Sequence, residues 1–159
     1  MDINTWRAVI KRMAPNANPK IVDMIVSNAE EVFQRNGITT MRREASILAH
    51  MCVETWGFTQ LEENLNYSAE RLTQVWPNRF PNLDIAKQYA HDPKKLALKV
   101  YNGRMGNTPG TDDGWVYRGQ GLLQVTGRDN VTRLARRMGV TPETAANWLT
   151  DPVNALECA

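Results

Sequence analysis

The sequence has 159 residues and is 42% apolar and 23% charged, which is ordinary for one soluble globular domain with a sizeable core. No apolar run reaches the length that spans a bilayer, which excludes a membrane-spanning helix. The formal net charge is only +2, but residues 94–137 carry nine lysines and arginines against three acidic residues, so this segment either attracts an anionic polymer or forms a solvated face.

Apolar periodicity and capping residues predict helices along most of the chain. Thr39 or Thr40, Ser68 and Thr141 are suited to cap helix N-termini, and Gly37 and Gly139 are suited to end helices. The predicted helices begin near residues 5, 19, 41, 68, 81, 93, 129, 141 and 151. The third of these is expected to run over about 41–56.

Two segments are predicted to be non-helical. Residues 102–121 are rich in glycine, and residues 122–126 have the apolar and β-branched composition of a short strand. The glycine-rich segment is either a linker or, because of its aromatic and cationic residues, the wall of a groove. The predicted fold class is therefore α+β and mainly α-helical. The aromatic and cationic residues are Tyr101, Arg104, Trp115, Tyr117 and Arg118.

Two carboxyl groups stand out because they are predicted to have contrasting surroundings. Glu54 falls at the end of the third helix, on the flank of its apolar face, where partial burial would favour the protonated acid. Glu63 follows nine residues later in a polar loop. One protonated and one ionised carboxyl are the pair that acid/base hydrolysis needs.

Other acidic and basic residues near this pair offer alternatives. Glu62 is a rival base, but in an extended segment its side chain would point away from that of Glu63. Glu70 lies inside the next predicted helix, which favours a surface position. His50, one helical turn before Glu54, is more typical of a structural histidine than of a catalytic base.

Cysteine and histidine content gives no metal-ligand pattern. Only two of each occur, and Cys52 and Cys158 are far apart in the sequence. Residues 1–7 lack the apolar segment of a secretory signal peptide. The sequence therefore predicts neither a metal site nor a disulfide framework, and it predicts a cytoplasmic location.

Four ordered blocks between about residues 40 and 155 resemble family 19 glycoside hydrolases, and within that family the phage endolysin branch. The first two are Glu54-Thr55-Trp56-Gly57-Phe58 and Glu63-Asn64-Leu65-Asn66-Tyr67-Ser68. The third is Tyr101-Asn102-Gly103-Arg104-Met105-Gly106-Asn107. The fourth covers residues 115–130, from Trp115-Val116-Tyr117-Arg118 to Gly127-Arg128-Asp129-Asn130.

This resemblance implies a role for each matching residue. Glu54 would be the general acid, Glu63 the general base that activates water, and Thr126 a hydroxyl that helps to hold that water. Such enzymes invert configuration in one displacement and need no metal or organic cofactor, because two carboxyls and water suffice. The implied substrate-binding residues are Gln124, Asn130, Tyr67, Tyr117 and Arg118.

The sequence also departs from the family pattern. Val53 stands where His usually precedes the acid, Trp56 where a second Gly is frequent, and Val131 where an aromatic residue is usual. Family members continue past the end of this sequence, which implies that the C-terminal part of the family fold is missing. Exposed apolar residues near the end would then drive self-association or lower the stability. The residues expected to be exposed are Trp148, Leu149, Val153 and Leu156.

Together these observations predict one lysozyme-like catalytic domain over residues 1–159. The expected activity is hydrolysis of β-1,4 bonds between amino sugars, with peptidoglycan as the preferred polymer and a phage or prophage endolysin as the class. The enzyme would stay in the cytoplasm until released to the cell wall. The alternatives are a chitinase and a catalytically impaired remnant that binds cell walls. A nucleic-acid binder has only the cationic segment in its favour, so neither nucleic acid nor membrane is an expected partner.

Overall fold

The computed structural model describes residues 2–159, and most of the described chain is helical. Apolar residues at helical spacing bury one face of most of these helices, as the sequence predicts. Within residues 2–159 the helices are α1 Ile3–Met13, α2 Pro19–Arg35, α3 Met41–Glu54, α4 Ala69–Val75, α5 Leu83–Lys87, α6 Pro93–Tyr101, α7 Asp113–Val116, α8 Arg128–Met138 and α9 Pro142–Trp148. None of them is both long and apolar enough to cross a membrane.

Side-chain caps fix the starts of the helices that frame the cleft described below. Thr40 accepts from the Arg43 amide at the start of α3, and Ser68 accepts from the Arg71 amide at the start of α4. Each cap pairs an amide that the first helical turn leaves free. The predicted cap at Ser68 is confirmed, and of the two alternatives predicted for α3, Thr39 or Thr40, the structure has Thr40.

The predicted strand at residues 122–126 is wrong. Gly121 and Gln124 have φ values of 82° and 48°, which turn the chain instead of extending it. Gln120 forms isolated antiparallel bridges with Glu62 and with Val125, and these are the β pairings in the described part of the chain. The mainly helical prediction is confirmed, and its β component reduces to these bridges.

Buried residues form three apolar clusters. The first joins α1, α2 and α3 with residues from the far half of the chain, including Leu122 and Leu156. The second covers residues 65–100, around Leu72, Phe80 and Leu96. The third joins α8 and α9. Tyr67 and Tyr101 both pack at the margin of the second cluster, so two segments that border the cleft are anchored on the same part of the core.

The end of the chain packs differently from the prediction. Leu149 and Leu156 are both only 2% exposed, because Leu149 packs with α8 and α9 and Leu156 packs with α1 and α2. Trp148 is half-buried, and of the four residues expected to be exposed only Val153 is, at 69%. The predicted exposed patch, and self-association through it, therefore lose their basis.

Turns replace the helix predicted to start near Asp151. The Asp151 carboxylate accepts from the amides of Val153 and Asn154, at 3.0 Å each, and so closes a turn. Further along, Glu157 pairs with Arg35 of α2 at 2.5 Å. The pair with Arg35 ties the end of the segment after α9 to α2, where Leu156 joins the first cluster.

Candidate active site

A polar cleft of about 680 Å³ opens at the carbonyl end of α3. Its walls come from α3 and the turn after it, the loop that leads into α4, the end of α6, and residues 119–126. Five of the eight residues predicted for the site line it. They are Glu54, Glu63, Tyr67, Gln124 and Thr126.

Glu54 is the last residue of α3 and projects from a fixed helix end. The following residue, Thr55, is fully buried, and its hydroxyl donates to the Met51 carbonyl at 2.5 Å. The Glu54 side chain itself is exposed, because α3 buries only Leu48 and Met51 within its length. The partial burial predicted for this carboxyl is therefore wrong for the protein without a bound polymer.

Glu63 is held at both carboxylate oxygens. The Tyr101 hydroxyl donates to Oε1 at 2.5 Å, and the Gly119 amide donates to Oε2 at 3.2 Å. The Glu63 amide donates in turn to the Gly119 carbonyl at 2.9 Å. Backbone and side-chain contacts together fix this carboxylate on the cleft wall.

Tyr101 is suited to remain a donor to Glu63. Burial, followed by the hydrogen bond and the negative charge of Glu63, raises the pKa of Tyr101 well above its ordinary value. The hydroxyl therefore keeps its proton at any physiological pH. Tyr101 was noted in the sequence as a groove residue, but its bond to Glu63 depends on a contact across 38 positions that no local pattern shows.

Three side-chain oxygens converge beside Gly119. A Cβ placed on this glycine would stand 3.1 Å from Gln124 Oε1 and 3.3 Å from both Glu63 Oε2 and Thr126 Oγ1. Real Cβ atoms rarely approach oxygens so closely, so the lack of a side chain at residue 119 is what lets the three groups meet. A carboxylate, an amide oxygen and a hydroxyl around one point can orient a water molecule.

The turn at residues 121–126 positions Gln124 and Thr126. The Gln124 amide nitrogen donates to the carbonyls of Leu61 and Gly121, at 3.2 and 3.0 Å, which leaves its oxygen directed toward Gly119. The Thr126 hydroxyl donates to the Gln124 carbonyl at 3.0 Å. Its lone pairs remain available to accept from a ligand or from water.

Glu62 and Glu63 engage different partners, which agrees with the divergence that the sequence predicts for an extended pair. Glu62 accepts from Arg118, whose guanidinium lies 4.0 Å from the centre of the Trp115 ring. Arg118 and Glu62 line a separate pocket of about 260 Å³. Arg118 therefore lies outside the cleft, which corrects its predicted contact with substrate there.

Tyr117 and Asn130 are the other predicted site residues that do not line the cleft. Tyr117 is only 2% exposed and its hydroxyl donates to Glu143 at 3.1 Å, so burial beside α9 removes it from any substrate. The prediction for Tyr117 is thus corrected. Asn130 is exposed and donates to the Thr126 carbonyl at 2.8 Å, which places it behind a cleft residue.

Some cleft residues carried no role in the sequence analysis. Trp56, Arg71 and Gly119 all line it, and Arg71 is the cation among its lining residues. Arg71 lies in the first turn of α4, directly after the loop that carries Glu63. This position was the signal in the sequence that could have placed it on the cleft. In residues 2–159 no group of three or more His, Cys, Asp or Glu side chains is arranged to hold a metal ion.

Comparison with known proteins agrees with the chemistry of the cleft. No family model matches the chain. A curated protein of Haemophilus influenzae, described as a glycosyl hydrolase family 19 domain-containing protein, is 34% identical to it over 134 residues. The match covers 82% of this chain and 67% of that relative.

Proposed function

The chain belongs to glycosyl hydrolase family 19, and on this premise we propose that it hydrolyses β-1,4 bonds between amino sugars with Glu54 as acid and Glu63 as base. The observation that carries the proposal is the placement of both carboxyls on one polar cleft. They come from separate segments, so a polymer lying in the cleft can pass between them.

Glu63 is the better candidate for the base. A base must be ionised and correctly aimed, and this carboxylate accepts two hydrogen bonds from Tyr101 and Gly119. Thr126 and Gln124 present oxygens to the same point beside Gly119. In this proposal a water molecule held there donates one proton to Glu63 while its oxygen attacks the anomeric carbon.

Glu54 is the better candidate for the acid. It has no hydrogen bond or ion pair with other described residues, so its proton is free to be given to the glycosidic oxygen. A polysaccharide lying in the cleft would cover this exposed carboxyl and bring a glycosidic oxygen within its reach. The leaving sugar then departs with the proton of Glu54, and the bond breaks.

This pairing corresponds to a single displacement with inversion at the anomeric carbon. Such a mechanism requires space for water between the two carboxyls, about 6.5–9.5 Å in inverting enzymes generally. A cleft of about 680 Å³ is large enough for a sugar ring and that water. Proton NMR of the first product anomer would separate inversion from retention.

Among amino-sugar polymers, one cleft residue favours peptidoglycan over chitin. Arg71 has no carboxylate partner in residues 2–159, and its guanidinium donates only to Gln74, at 3.2 Å. Peptidoglycan carries carboxylates on its stem peptides, and on those lactyl groups that bear no peptide, whereas chitin is neutral. An unpaired guanidinium beside the two candidate catalytic groups is suited to bind such a carboxylate.

The endolysin assignment follows from the same preference. The resemblance of the sequence to phage endolysins and the presence of Arg71 in the cleft both favour a peptidoglycan substrate. In such a role the protein would act on the cell wall after release from the cytoplasm. Mass spectrometry of peptidoglycan digests would identify the bond that is cleaved.

The primary test is the Glu54→Gln variant. We expect hydrolysis of purified peptidoglycan to fall by about 10²–10⁴-fold, with the thermal midpoint unchanged because Glu54 is exposed. Glu70→Gln, which removes an exposed carboxyl from α4 outside the cleft lining, is the matched control. Near-normal hydrolysis by Glu54→Gln would refute the assignment. A wild-type protein that binds walls without cleaving them would indicate a wall-binding module.

Substrate preference is tested with Arg71→Gln. The variant should lose rate on peptidoglycan and keep its rate on soluble N-acetylglucosamine oligomers. Arg42→Gln on the exposed side of α3 makes the same change in net charge away from the cleft. An equal effect of Arg71→Gln on both substrates would remove the support that Arg71 gives to a preference for peptidoglycan.

A further inference from the structure

Trp56 is a large apolar side chain that the fold keeps in water. It is 77% exposed and lies on the cleft wall two residues after Glu54. Its neighbour Val53 is equally exposed, at 76%, but does not line the cleft. Burial of an indole is favourable, so an exposed one in a cleft indicates a surface that a ligand covers.

The backbone holds this indole outward at some cost. Trp56, Gly57 and Phe58 have φ values of 55°, 79° and 57°, so three successive residues are in the left-handed region. Only glycine adopts that region readily, and a tryptophan there is strained. Strain of this kind persists where surrounding structure enforces it, and it is frequent at functional sites.

The surrounding structure enforces it through buried neighbours. Thr55 and Phe58 are both fully buried, and the Phe58 amide donates to the Thr55 hydroxyl at 2.9 Å. The Gly57 amide donates to the Cys52 carbonyl at 2.7 Å. Thr55 and Phe58 are thus fixed in the core, and the turn between them places Trp56 on the cleft wall.

We propose that Trp56 is a sugar-stacking platform that binds one pyranose ring of the polymer beside Glu54. The apolar face of an amino sugar, which carries axial C–H groups, matches the flat face of an indole, and the hydroxyls on its rim remain free for the polar cleft residues. The platform rests on the proposed function of the cleft. It assigns a binding subsite to a residue at a position where the resembling family frequently has glycine.

The rival occupant of this surface is a second copy of the chain. Val53 and Trp56 together could form a small apolar contact between two molecules. The observation that favours a sugar is the position of Trp56 on the same cleft as Glu54, Glu63 and Tyr67, since a dimer contact does not require it. Val53 provides a control that separates the two occupants.

Binding is measured in the Glu54→Gln background, so that the ligand is not consumed. The probe is a hexamer of N-acetylglucosamine, titrated by calorimetry into full-length protein. We expect Trp56→Gly to weaken binding by about 10- to 100-fold, the loss of a fully used aromatic contact. Trp56→Phe should retain most of the affinity, and Val53→Ala all of it.

Thermal unfolding distinguishes a lost contact from a lost fold. Glycine adopts a φ of 55° freely, so Trp56→Gly should unfold at the same or a higher temperature than its parent. Weaker binding with an undiminished midpoint therefore supports the platform. Weaker binding that merely accompanies a fallen midpoint in both Trp56→Gly and Trp56→Phe would overturn it.

The remaining outcomes separate the platform from the proposed function. If Trp56→Gly binds the hexamer within twofold of its parent, the platform is wrong, while loss of hydrolysis in Glu54→Gln still supports the enzyme. If the parent binds no hexamer and the wild type hydrolyses no polymer, both are wrong. A further outcome is a parent protein that sediments as a dimer, which both Trp56→Gly and Val53→Ala convert into monomers with binding of the hexamer intact. In that case the surface formed by Val53 and Trp56 is a self-association site.

Discussion

Replacing Tyr101 with Phe removes one oxygen atom and one hydrogen bond from the candidate active site. The bond is the short one, 2.5 Å, from the Tyr101 hydroxyl to Glu63 Oε1. The ring that remains still packs at the margin of the second cluster, so the fold is expected to tolerate the change. The variant therefore isolates the effect of the donor on the proposed base.

The size of the effect follows from the hydrogen bonds that remain. A hydrogen bond to a charged group contributes about 1.5–3 kcal/mol, which corresponds to a factor of about 10–150 in rate if it acts wholly in the transition state. The Gly119 amide still donates to the other oxygen of Glu63, at 3.2 Å, so the carboxylate stays partly fixed. We therefore expect the lower end of the range, a loss of about tenfold in kcat.

The assay measures kcat and KM on soluble N-acetylglucosamine oligomers from acid to neutral pH. Tyr101→Phe should lower kcat with little change in KM, because phenylalanine no longer donates to the carboxylate and so no longer helps to position it. Tyr89→Phe, in the same cluster but outside the cleft lining, is the control. An unchanged kcat, or an effect confined to KM, would refute the positioning role.

Three further predictions follow from contacts described above. Glu63→Gln should lose about 10²–10⁴-fold in kcat with its fold intact. Glu62→Gln should keep its kcat but unfold at a lower temperature, since it leaves a nearly buried Arg118 unpaired. The reverse pattern would mean that Glu62, not Glu63, is the base. Gly119→Ala should lower kcat/KM by about tenfold or more, because its Cβ would meet three oxygens at 3.1–3.3 Å; normal kinetics would exclude a crowded site. Partial burial alone would raise the pKa of Glu157, but its bonds to Arg35 and Asn36 hold that pKa below the ordinary value. The Glu157 carboxylate therefore stabilises the fold fully at any pH above its ordinary pKa. This stabilisation is lost as the pH falls through the lowered pKa of the folded state. Glu157→Gln should accordingly melt below wild type at neutral pH, with the gap closing below about pH 4, and a constant gap would contradict the assignment.

Local signals predicted the helices well because capping is a local interaction. Thr40 and Ser68 each accept from an amide three residues ahead, so a few residues decide where α3 and α4 begin. The different partners of Glu62 and Glu63 were also predictable, since neighbouring side chains in an extended segment alternate. These predictions needed no knowledge of distant contacts.

The sequence-based predictions failed where the outcome depends on contacts between residues that are distant in the sequence. Residues 122–126 have strand-like composition, yet Leu122 packs into the first cluster, and positive φ values at Gly121 and Gln124 turn the chain. Tyr117 and Arg118 are residue types expected in a groove wall. In the structure Tyr117 is buried in the third cluster, and Arg118 stacks on Trp115. Composition identified the right segment, and packing decided which of its residues reach the cleft.

The packing of Leu156 against α1 and α2 has a consequence for the order of events during synthesis. The first cluster combines Trp6 and Ile25 with Leu122, Ala155 and Leu156, which lie 97 to 150 positions later in the sequence and leave the ribosome correspondingly later. Contacts this distant in sequence close slowly, and until they form the two N-terminal helices have no complete partner surface. The earliest helices to be translated should thus be among the last to gain protection from hydrogen exchange in the nascent chain.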